Sequence, residues 1–301
     1  MPRVPVASED ERKFIVDGIQ SDFRLDGRTS RMYRPVLLAT DVVNTANGSC
    51  LLKLGGTIVM AGVTFEFTRT SQESPNEGRI EATVDGSGCH SLRIFGRQRH
   101  LFTKQISRSL NYILNNPKCF DREQLCVVKG HHCWLVHVDI SVLRYEGNLY
   151  DACSFAMKAA LSETKVPSLQ VTHDEETSEV TVDVCDDPFQ FGLLNVSNLP
   201  VFISVSQVSG IHIVDTTLKE DSVTLARITY GVKDNGNIVY MSKDGGGSLD
   251  LLNLRSMSKV ASDIGPQMNS LLLDKIHLSK AKQPLWGHVN ENLLFDDINF
   301  V

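Results

Sequence analysis

The chain lacks an excess of positive charge. Its 301 residues hold 30 lysines and arginines against 36 aspartates and glutamates, which gives a formal net charge of -6. Affinity for nucleic acid comes mainly from neutralised phosphates, so the chain as a whole is not an electropositive nucleic-acid binder. Any contact with RNA must therefore come from a local basic patch or from a partner subunit.

Long apolar runs and an ordered set of cysteines are also missing. No apolar segment approaches the roughly 20 residues that span a bilayer, and the first residues lack the apolar core of a signal peptide. The seven cysteines are odd in number and show no paired spacing, which does not suit a disulfide framework. We therefore expect an intracellular protein with reduced thiols and no membrane partner.

Two familiar kinds of site are disfavoured by residue spacing. A zinc interpretation is invited by Cys126, His131, His132, Cys133 and His137. These residues do not form paired Cys-x-x-Cys knuckles, and alternate residues of a strand point to opposite faces. We expect packed strand residues here, with Trp134 as an apolar anchor, and no metal. The Gly-x-Ser-x-Gly turn of a serine hydrolase is absent from the sequence,.

What the chain does contain is clear local patterning of strands and helices. Ser8 and Glu11 form a capping box that opens a short helix to about Gln20. The dipeptides Asn47-Gly48 and Gly55-Gly56 are hairpin signals. Strands are predicted at 35–43, 49–54, 57–68, 79–84, 133–143, two within 167–184, 201–208, 211–214, 225–232 and 237–241. Further helices are predicted at 99–115, at 149–163 with a stripe of small residues, and after Ser248, with a kink at Gly265-Pro266.

The order of meander, helix and further strands appears twice. This repetition predicts an α+β protein built from two similar halves, with no Gly-, Ser- or Pro-rich linker between them. We divide the chain into an N-terminal helix and arm at 1–30, a first half at 31–190, a second half at 191–278 and a C-terminal tail at 279–301.

A glycine turn, Gly147-Asn148, joins a predicted strand to a predicted helix. A strand, a turn and a helix N-terminus together form a natural anion site, because free backbone N–H groups point outward there. The turn is followed by Leu149 and Asp151, and the first lysine or arginine is Lys158. The segment therefore has the geometry of a phosphate site without its positive charge.

Several short motifs follow one another from about residue 9 to residue 276. They are Arg24-Leu25-Asp26-Gly27-Arg28, Tyr33-Arg34, Asp41-Val42-Val43, Lys53-Leu54-Gly55, Pro75-Asn76-Glu77-Gly78, His132-Cys133-Trp134, Gly147-Asn148-Leu149-Tyr150-Asp151-Ala152, Asp186-Asp187-Pro188, Val214-Asp215-Thr216-Thr217-Leu218 and Gly247-Ser248-Leu249-Asp250. In order and spacing they resemble the RNase PH family and, within it, ring subunits of the eukaryotic RNA exosome. The resemblance implies the RNase PH fold, whose halves are like domain 2 of ribosomal protein S5.

The same resemblance implies a set of partners. It implies a hexameric ring of RNase PH-like subunits, RNA-binding cap subunits, a hydrolytic exosome nuclease, and single-stranded RNA that threads through the ring. It also implies a location in the nucleus, nucleolus and cytoplasm, and it calls for no cofactor.

Catalytic members of this family are phosphorolytic. An arginine of the glycine turn holds phosphate, and a carboxylate near a later strand binds metal or assists the leaving oxygen. Alignment puts Leu149 at the arginine position and Asn198 at the carboxylate position. An apolar side chain cannot neutralise phosphate, and an amide cannot act as a general acid or base. We therefore expect no catalytic residue in this chain.

The resemblance also points to an RNA-contacting region, because the matching part of the family faces the central channel. The expected RNA contacts are Arg97, Arg99, Lys104 and Arg108, in a basic run that begins at Arg93. A solvated helix face is the alternative interpretation of this run. Arg24, Arg28 and Arg34 could also touch RNA, but we expect them to pair with Asp26 or with a neighbouring subunit.

The leading hypothesis is thus a non-catalytic exosome ring subunit that supports 3′-to-5′ RNA processing by positioning neighbours and guiding single-stranded RNA. The alternative is an active phosphate-dependent 3′-to-5′ exoribonuclease with a composite site at a dimer interface. A stand-alone RNA-binding module is a third hypothesis, and the acidic net charge counts against it. The glycine run 245–247 before Ser248 could cradle phosphate, but a flexible turn capped by Ser248 accounts for it as well.

Overall fold

The computed structural model describes residues 8–71, 74–89, 97–173, 180–184 and 190–282, and for 97–99, 170–173, 180–184 and 280–282 it describes the backbone alone. The helices in this part are α1 (Glu9–Gln20), α2 (Arg97–Leu114), α3 (Leu149–Ser162), α4 (Leu218–Asp221) and α5 (Leu251–Lys282). The strands are β1 (Val36–Thr40), β2 (Gly48–Leu54), β3 (Thr57–Arg69), β4 (Arg79–Asp85), β5 (Cys126–Val128), β6 (His132–Arg144), β7 (Lys165–Pro167), β8 (Leu169–His173), β9 (Val180–Val184), β10 (Phe191–Leu193), β11 (Val201–Val208), β12 (Ile211–Val214), β13 (Ala226–Val232) and β14 (Ile238–Asp244).

The first half is built on a mixed sheet with the strand order β1-β2-β3-β6-β4, and β5 pairs with the free part of β6. β3 and β6 pair antiparallel over most of their length, whereas β4 runs parallel to β6. Buried and exposed residues alternate along β4, as expected for a sheet with one buried face. The apolar side chains of this sheet therefore point to a core on one side.

The second half is built on a four-stranded antiparallel sheet with the order β12-β11-β13-β14. Every residue of β11 and of β13 is buried. A strand that is buried at consecutive positions must be covered on both faces of its sheet, because side chains alternate between the faces. α3 and α5 both pack against β11, so this sheet lies inside the molecule.

α3 lies between the two halves. It packs against β2 and β3 of the first sheet and against β11 of the second. The sequence predicts one stripe of small residues, but in the structure every residue from Leu149 to Leu161 is buried. The difference arises because the helix has a sheet on more than one side, and the small side chains Ala152, Ala156 and Ala159 let these layers approach closely.

α2 covers the outer edge of the first sheet. The side-chain amide of Asn111 accepts from the backbone N–H of Ala82 (2.8 Å) and donates to the carbonyl of Ala82 (2.7 Å). The hydroxyl of Ser107 accepts from the N–H of Val84 (2.9 Å). These side chains take the place of a further strand beside β4, which protects the unpaired edge. They also fix the helix so that its opposite face points outward.

Most predicted elements are present, and the corrections concern their ends. Ser8 caps α1 as predicted, since its hydroxyl accepts from the N–H of Glu11 (3.2 Å). Ser248 does not cap α5. The helix begins at Leu251, and the Asp250 carboxylate accepts from the N–H of Asn253 (3.1 Å).

The sequence patterns did not predict some of the short strands and helices. The short strands β5, β7 and β10 and the short helix α4 were not predicted, because three or four residues are too few to show a period. α5 runs from Leu251 through Pro266 to Lys282 as one helix, so the first residues of the predicted tail are helical. The predicted acidic turn 174–176 and the remainder of the tail, 283–301, lie outside the described residues.

The composition predicted reduced thiols and no membrane-spanning segment. The six cysteines that the structure describes are free thiols, and all but Cys126 are buried. Within the described ranges, no helix combines the length and the apolar character needed to cross a membrane.

Gly265 offers a test of how closely α5 approaches the second sheet. A Cβ at this position would lie 2.4 Å from the Cγ1 of Val232 on β13. Gly265→Ala should gain about 1 kcal/mol of helix propensity but lose about 1–3 kcal/mol through overpacking. We therefore expect a net loss on the order of 1 kcal/mol in the free energy of unfolding, measured by urea denaturation.

The matched control for Gly265→Ala is Gly246→Ala, because a Cβ at Gly246 meets no atom within 4 Å. This control should leave the stability within about 0.5 kcal/mol of the original chain. A clear gain of stability from Gly265→Ala would contradict the described contact between α5 and β13.

Candidate functional site

Gly147 and Asn148 form the turn that joins β6 to α3. Gly147 has a φ of +100°, and a Cβ there would lie 2.4 Å from the carbonyl oxygen of Thr216. Asn148 is also left-handed, with a φ of 51°. The N–H of Leu218 donates to the carbonyl of Glu146 (3.2 Å). The turn is therefore closed over by backbone from the second half, and the close approach requires glycine at its first position.

Asp151 lies in the first turn of α3 and is fully buried. Its carboxylate accepts hydrogen bonds from Tyr33 Oη (2.6 Å), Asn148 Nδ2 (2.8 Å), and both the N–H (3.1 Å) and the Oγ (2.7 Å) of Ser204. Negative charge is favoured at a helix N-terminus. A carboxylate of the protein itself thus lies in the first turn of α3, where its described hydrogen bonds come from Tyr33, Asn148 and Ser204.

Asp215 is a second buried carboxylate beside the same turn. It accepts from the backbone N–H (2.8 Å), Nε (2.9 Å) and Nη2 (2.8 Å) of Arg34, and from Nη1 of Arg28 (3.1 Å). Asn148 Nδ2 donates to it as well (2.8 Å). Arg34 Nη2 also donates to the carbonyl of Gly147 (3.2 Å). The guanidinium next to the turn is therefore fully used by internal contacts.

Arg24 and Glu220 form a further buried ion pair, with Nε–Oε1 at 2.7 Å and Nη2–Oε2 at 2.5 Å. Arg28 also pairs with Asp26 (2.7 Å). The expected pairing with Asp26 is found for Arg28 alone, whereas Arg24 pairs with Glu220 and Arg34 with Asp215. Their main partners are carboxylates of the second half, which the sequence did not single out.

The two carboxylates beside the turn, Asp151 and Asp215, have pKa values shifted in opposite directions. Burial raises the pKa of Asp151 to about 6, although hydrogen bonds from Tyr33, Asn148 and Ser204 act in the opposite direction. Burial also acts to raise the pKa of Asp215, but Arg34 and Arg28 hold that pKa below its usual value. The difference follows from the cations, which contact Asp215 directly, whereas Asp151 accepts only from neutral donors.

The positions aligned with catalytic residues of the family are now placed in the fold. Leu149 is buried, at 1% exposure, in the main hydrophobic core. Asn198 is exposed in the turn before β11. Lys158, the first cation after the glycine turn, is itself buried and donates to the carbonyl of Leu199 (2.7 Å) and to Asn269 Oδ1 (2.9 Å). None of these three side chains presents a cation to the start of α3.

The basic run predicted to contact RNA falls on α2. Lys104 and Arg108 are exposed, and neither forms an ion pair or a hydrogen bond with a described residue. Arg97 and Arg99 lie in the first turn of α2, where the backbone alone is described, and Arg93 lies outside the described residues. The 18 residues of α2 contain four lysines and arginines and no carboxylate.

The histidines and cysteines between 126 and 137 are distributed over a sheet. Cys126 lies opposite Cys133 in the β5–β6 ladder, and His137 lies 3.1 Å from Glu66. Trp134 is buried and packs edge-on against Phe65 and Phe67, which confirms its role as an apolar anchor. Among the described residues, no group of three or more His, Cys, Asp or Glu side chains is placed to hold a metal ion.

The glycine run before α5 also has a structural explanation. The N–H of Gly247 donates to the carbonyl of Leu225 (3.0 Å), and a Cβ at Gly247 would lie 2.5 Å from that oxygen. Since α5 starts only at Leu251, this run does not lie at the helix N-terminus where phosphate would bind. The turn interpretation is therefore retained, with Asp250 rather than Ser248 as the cap.

Comparison with known protein families agrees with this architecture. Domain 1 of the 3′ exoribonuclease family, RNase PH, matches residues 32–167. Domain 2 of the same family matches residues 198–264. The chain belongs to the RNase PH family. The fold of two α+β halves that the resemblance implied is thereby confirmed.

Individual members of the RNase PH family extend the comparison. The exosome complex component Rrp42 of Methanopyrus kandleri is 30% identical over 233 residues, which cover 77% of this chain and 84% of that protein. A solved structure of the Archaeoglobus fulgidus exosome with RNA bound to the active site contains a chain of 26% identity. It aligns with a TM-score of 0.74 over 87% of this chain and 98% of that one. A chain of a solved archaeal exosome core aligns with a TM-score of 0.72 at 25% identity, over 88% of this chain and 97% of that one.

Sequence reasoning missed most of the buried network around the glycine turn of this RNase PH-family chain. Asp215 and Glu220 were noted only as parts of a motif or not at all, and Tyr33 and Ser204 were not assigned partners. One signal was available: Asp215 directly follows the apolar strand residues Ile213 and Val214. A carboxylate at the end of a buried strand needs a partner, and the unassigned arginines of the arm could supply it.

The pH dependence of stability tests the environment of Asp151. A pKa raised from 3.8 to about 6 means that the folded state retains a proton which the unfolded state has lost. The stability from this group is therefore present at low pH and lost as the pH rises through about 6. Asp151→Asn removes this titration. Relative to the original chain, it should gain on the order of 2 kcal/mol of unfolding free energy between pH 4.5 and pH 7.5.

Asp263→Asn is the control for the loss of one negative charge, because Asp263 is exposed on α5. Urea denaturation of the three proteins at several pH values gives the comparison. A constant difference between Asp151→Asn and the original chain from pH 4.5 to pH 7.5 would show that Asp151 does not titrate in this way.

Proposed function

We propose that this chain is a non-catalytic subunit of the RNA exosome ring, which positions neighbouring subunits and guides single-stranded RNA by its backbone. The observation that carries the proposal is that two buried carboxylates, Asp151 and Asp215, lie beside the glycine turn and are bridged by Asn148 Nδ2. The similarity to exosome components and to exosome core structures over most of the chain supports the assembly.

The proposed lack of catalysis rests on charge. Phosphate at the start of α3 would meet the buried carboxylate of Asp151 at that helix end, and repulsion between like charges opposes its binding. The first cation after the turn, Lys158, is held by Leu199 and Asn269, and Arg144 before the turn pairs with Glu146. An apolar Leu149 and a neutral Asn198 add no compensating group. The loss of one charge-stabilising group lowers a rate on the order of 100-fold, so the loss of two leaves essentially no activity.

The active alternative requires a neighbour to supply what this chain does not. A composite site at a dimer interface would need a phosphate-binding cation and a catalytic carboxylate from the partner. In that case this chain would contribute RNA contacts, and the partner would contribute the catalytic residues. The chain's own contribution is the same in both cases, and the assay below separates them.

The proposed RNA contact lies on the exposed face of α2. Lys104 and Arg108 are one helical turn apart, about 6 Å along the axis, and neither has a partner within the part of the chain that the structure describes. A helix of four cations and no carboxylate is unusual in a chain with a net charge of -6. Such a face suits the phosphates of a single strand, where contact is largely independent of sequence. We include Arg97 and Arg99 in this contact because they continue the same helix.

The remaining parts of the proposal concern the assembly. The proposed neighbours are other RNase PH-like subunits in a hexameric ring, with RNA-binding cap subunits and a hydrolytic exosome nuclease attached to it. The proposed locations are the nucleus, the nucleolus and the cytoplasm, where an exosome processes and degrades RNA.

The absence of catalysis is tested by incubating a 5′-labelled single-stranded RNA with the chain alone, with a ring neighbour, and in the assembled ring. Each incubation is run with and without phosphate. We expect no phosphate-dependent shortening by the chain alone. Release of nucleoside diphosphates by the chain alone would overturn the proposal, and release only with the neighbour would favour the composite site.

The RNA contact is tested by the salt dependence of binding to the assembled ring. Each lost phosphate contact should reduce the slope of log K against log salt by about 0.7 for a single strand, so Lys104→Ala with Arg108→Ala should reduce it by about 1.4. The matched control is Arg255→Ala with Lys259→Ala, an exposed pair at the same spacing on α5. An unchanged slope for the α2 variant, or an equal change for both variants, would contradict an RNA contact at α2.

A further inference from the structure

Tyr112 extends the cationic face of α2 by one more helical turn. Lys104, Arg108 and Tyr112 recur every four residues, so they lie along one line of the helix surface. Tyr112 is 59% exposed, although large aromatic side chains are usually placed where they remove apolar area from water. It is exposed in a row with Lys104 and Arg108, which have no ion pair with any described side chain. A partner that suits this row has both negative charge and a flat apolar surface.

The ring of Tyr112 is supported from beneath by a series of aromatic side chains. Its centroid lies 5.4 Å from that of Tyr240. Tyr240 lies 5.4 Å from Phe202, and Phe202 lies 6.5 Å from Tyr150. Phe202 and Tyr150 are fully buried. Tyr112 is therefore the exposed end of a row of rings that begins in the core.

Hydrogen bonds hold this support in place. The hydroxyl of Tyr240 contacts the Oγ of Ser109 on α2 (2.8 Å), which fixes the ring of Tyr240 against the helix. One helical turn before Ser109 on α2, Gln105 Nε2 donates to Asp244 Oδ1 (2.5 Å). The carboxylate of Asp244, at the end of β14, is therefore hydrogen-bonded to a neutral amide. An aromatic ring that is packed on one side and open on the other is a ready stacking platform.

We propose that Tyr112 stacks on a base of the single-stranded RNA whose phosphates lie on Lys104 and Arg108. This inference rests on the proposed function and adds a base contact to it. Charge complementarity favours RNA as the ligand of this face, because α2 carries cations and no carboxylate. A nucleic-acid strand offers a phosphate and an aromatic base in every nucleotide. Stacking of this kind tolerates any base, because every base has a π-face.

The test measures binding of fluorescent single-stranded RNA to the assembled ring for a set of variants at position 112. Tyr112→Ala should weaken binding about 5- to 150-fold, the range for the loss of one stacked base. Tyr112→Phe keeps the ring and should bind within about twofold of the original. Tyr112→Leu keeps an apolar side chain without a π-face and should behave like Tyr112→Ala.

An RNA backbone of the same length without bases separates stacking from charge. On this ligand Tyr112→Ala should bind as the original ring does, whereas Lys104→Ala with Arg108→Ala should still weaken binding. In addition, a photoreactive thiouridine strand should crosslink to the α2 peptide that contains Tyr112, and this adduct should be lost in Tyr112→Leu.

The possible failures can be told apart. If Tyr112→Ala binds ordinary RNA normally while the Lys104 and Arg108 variant binds weakly, the stacking inference is overturned and the proposed function stands. If both variants bind normally, the α2 face is not an RNA contact and both proposals for it fail. If Tyr112→Ala prevents ring assembly on size exclusion, position 112 is a protein contact, which also overturns the stacking inference.

Discussion

The carboxylate of Asp215 receives hydrogen bonds from three regions that are distant in sequence. Arg28 comes from the arm after α1, Arg34 from the entrance to β1, and Asn148 from the turn before α3. Asp215 itself belongs to the second half. Because the carboxylate is fully buried, loss of one of its cationic partners would leave a poorly compensated charge, at a cost on the order of 3–5 kcal/mol. The two halves are thus joined by charged contacts as well as by the packing of α3.

The same contacts decide what the glycine turn can do. A turn between a strand and a helix is suited to an external anion. Here, however, Asn148 donates hydrogen bonds to both Asp151 and Asp215. Arg34 donates to Asp215 and to the carbonyl of Gly147. The groups that could bind phosphate therefore hold the molecule together instead. α2 shows the opposite arrangement, since Lys104 and Arg108 have no partner among the described residues and the inner face of the helix is fixed by Asn111 and Ser107 against β4. Among the described residues, the glycine turn is held by internal contacts, whereas Lys104 and Arg108 on α2 are exposed.

How far the sequence predicts this structure depends on the range of the interactions involved. Helix and strand positions followed from local periodicity, and the cap at Ser8 from a four-residue pattern, because both depend on near neighbours. The cap of α5 was wrong by two positions, since Ser248 and Asp250 are both good caps and tertiary packing chose between them. The helical spacing of Lys104 and Arg108 was also visible in the sequence. The aromatic support beneath Tyr112 was not, because Phe202 and Tyr240 come from strands that are about 90 to 130 residues away in the sequence.

The central claim is that RNA lies on α2 while the glycine turn stays closed to phosphate. The most direct measurement is an experimental structure of the assembled ring with bound single-stranded RNA and an excess of phosphate. We expect RNA backbone within hydrogen-bonding distance of Lys104 and Arg108, with Asp151 and Asp215 still bridged by Asn148 and no phosphate at the turn. A phosphate bound to the backbone N–H groups at the start of α3, with Asp151 displaced, would contradict it.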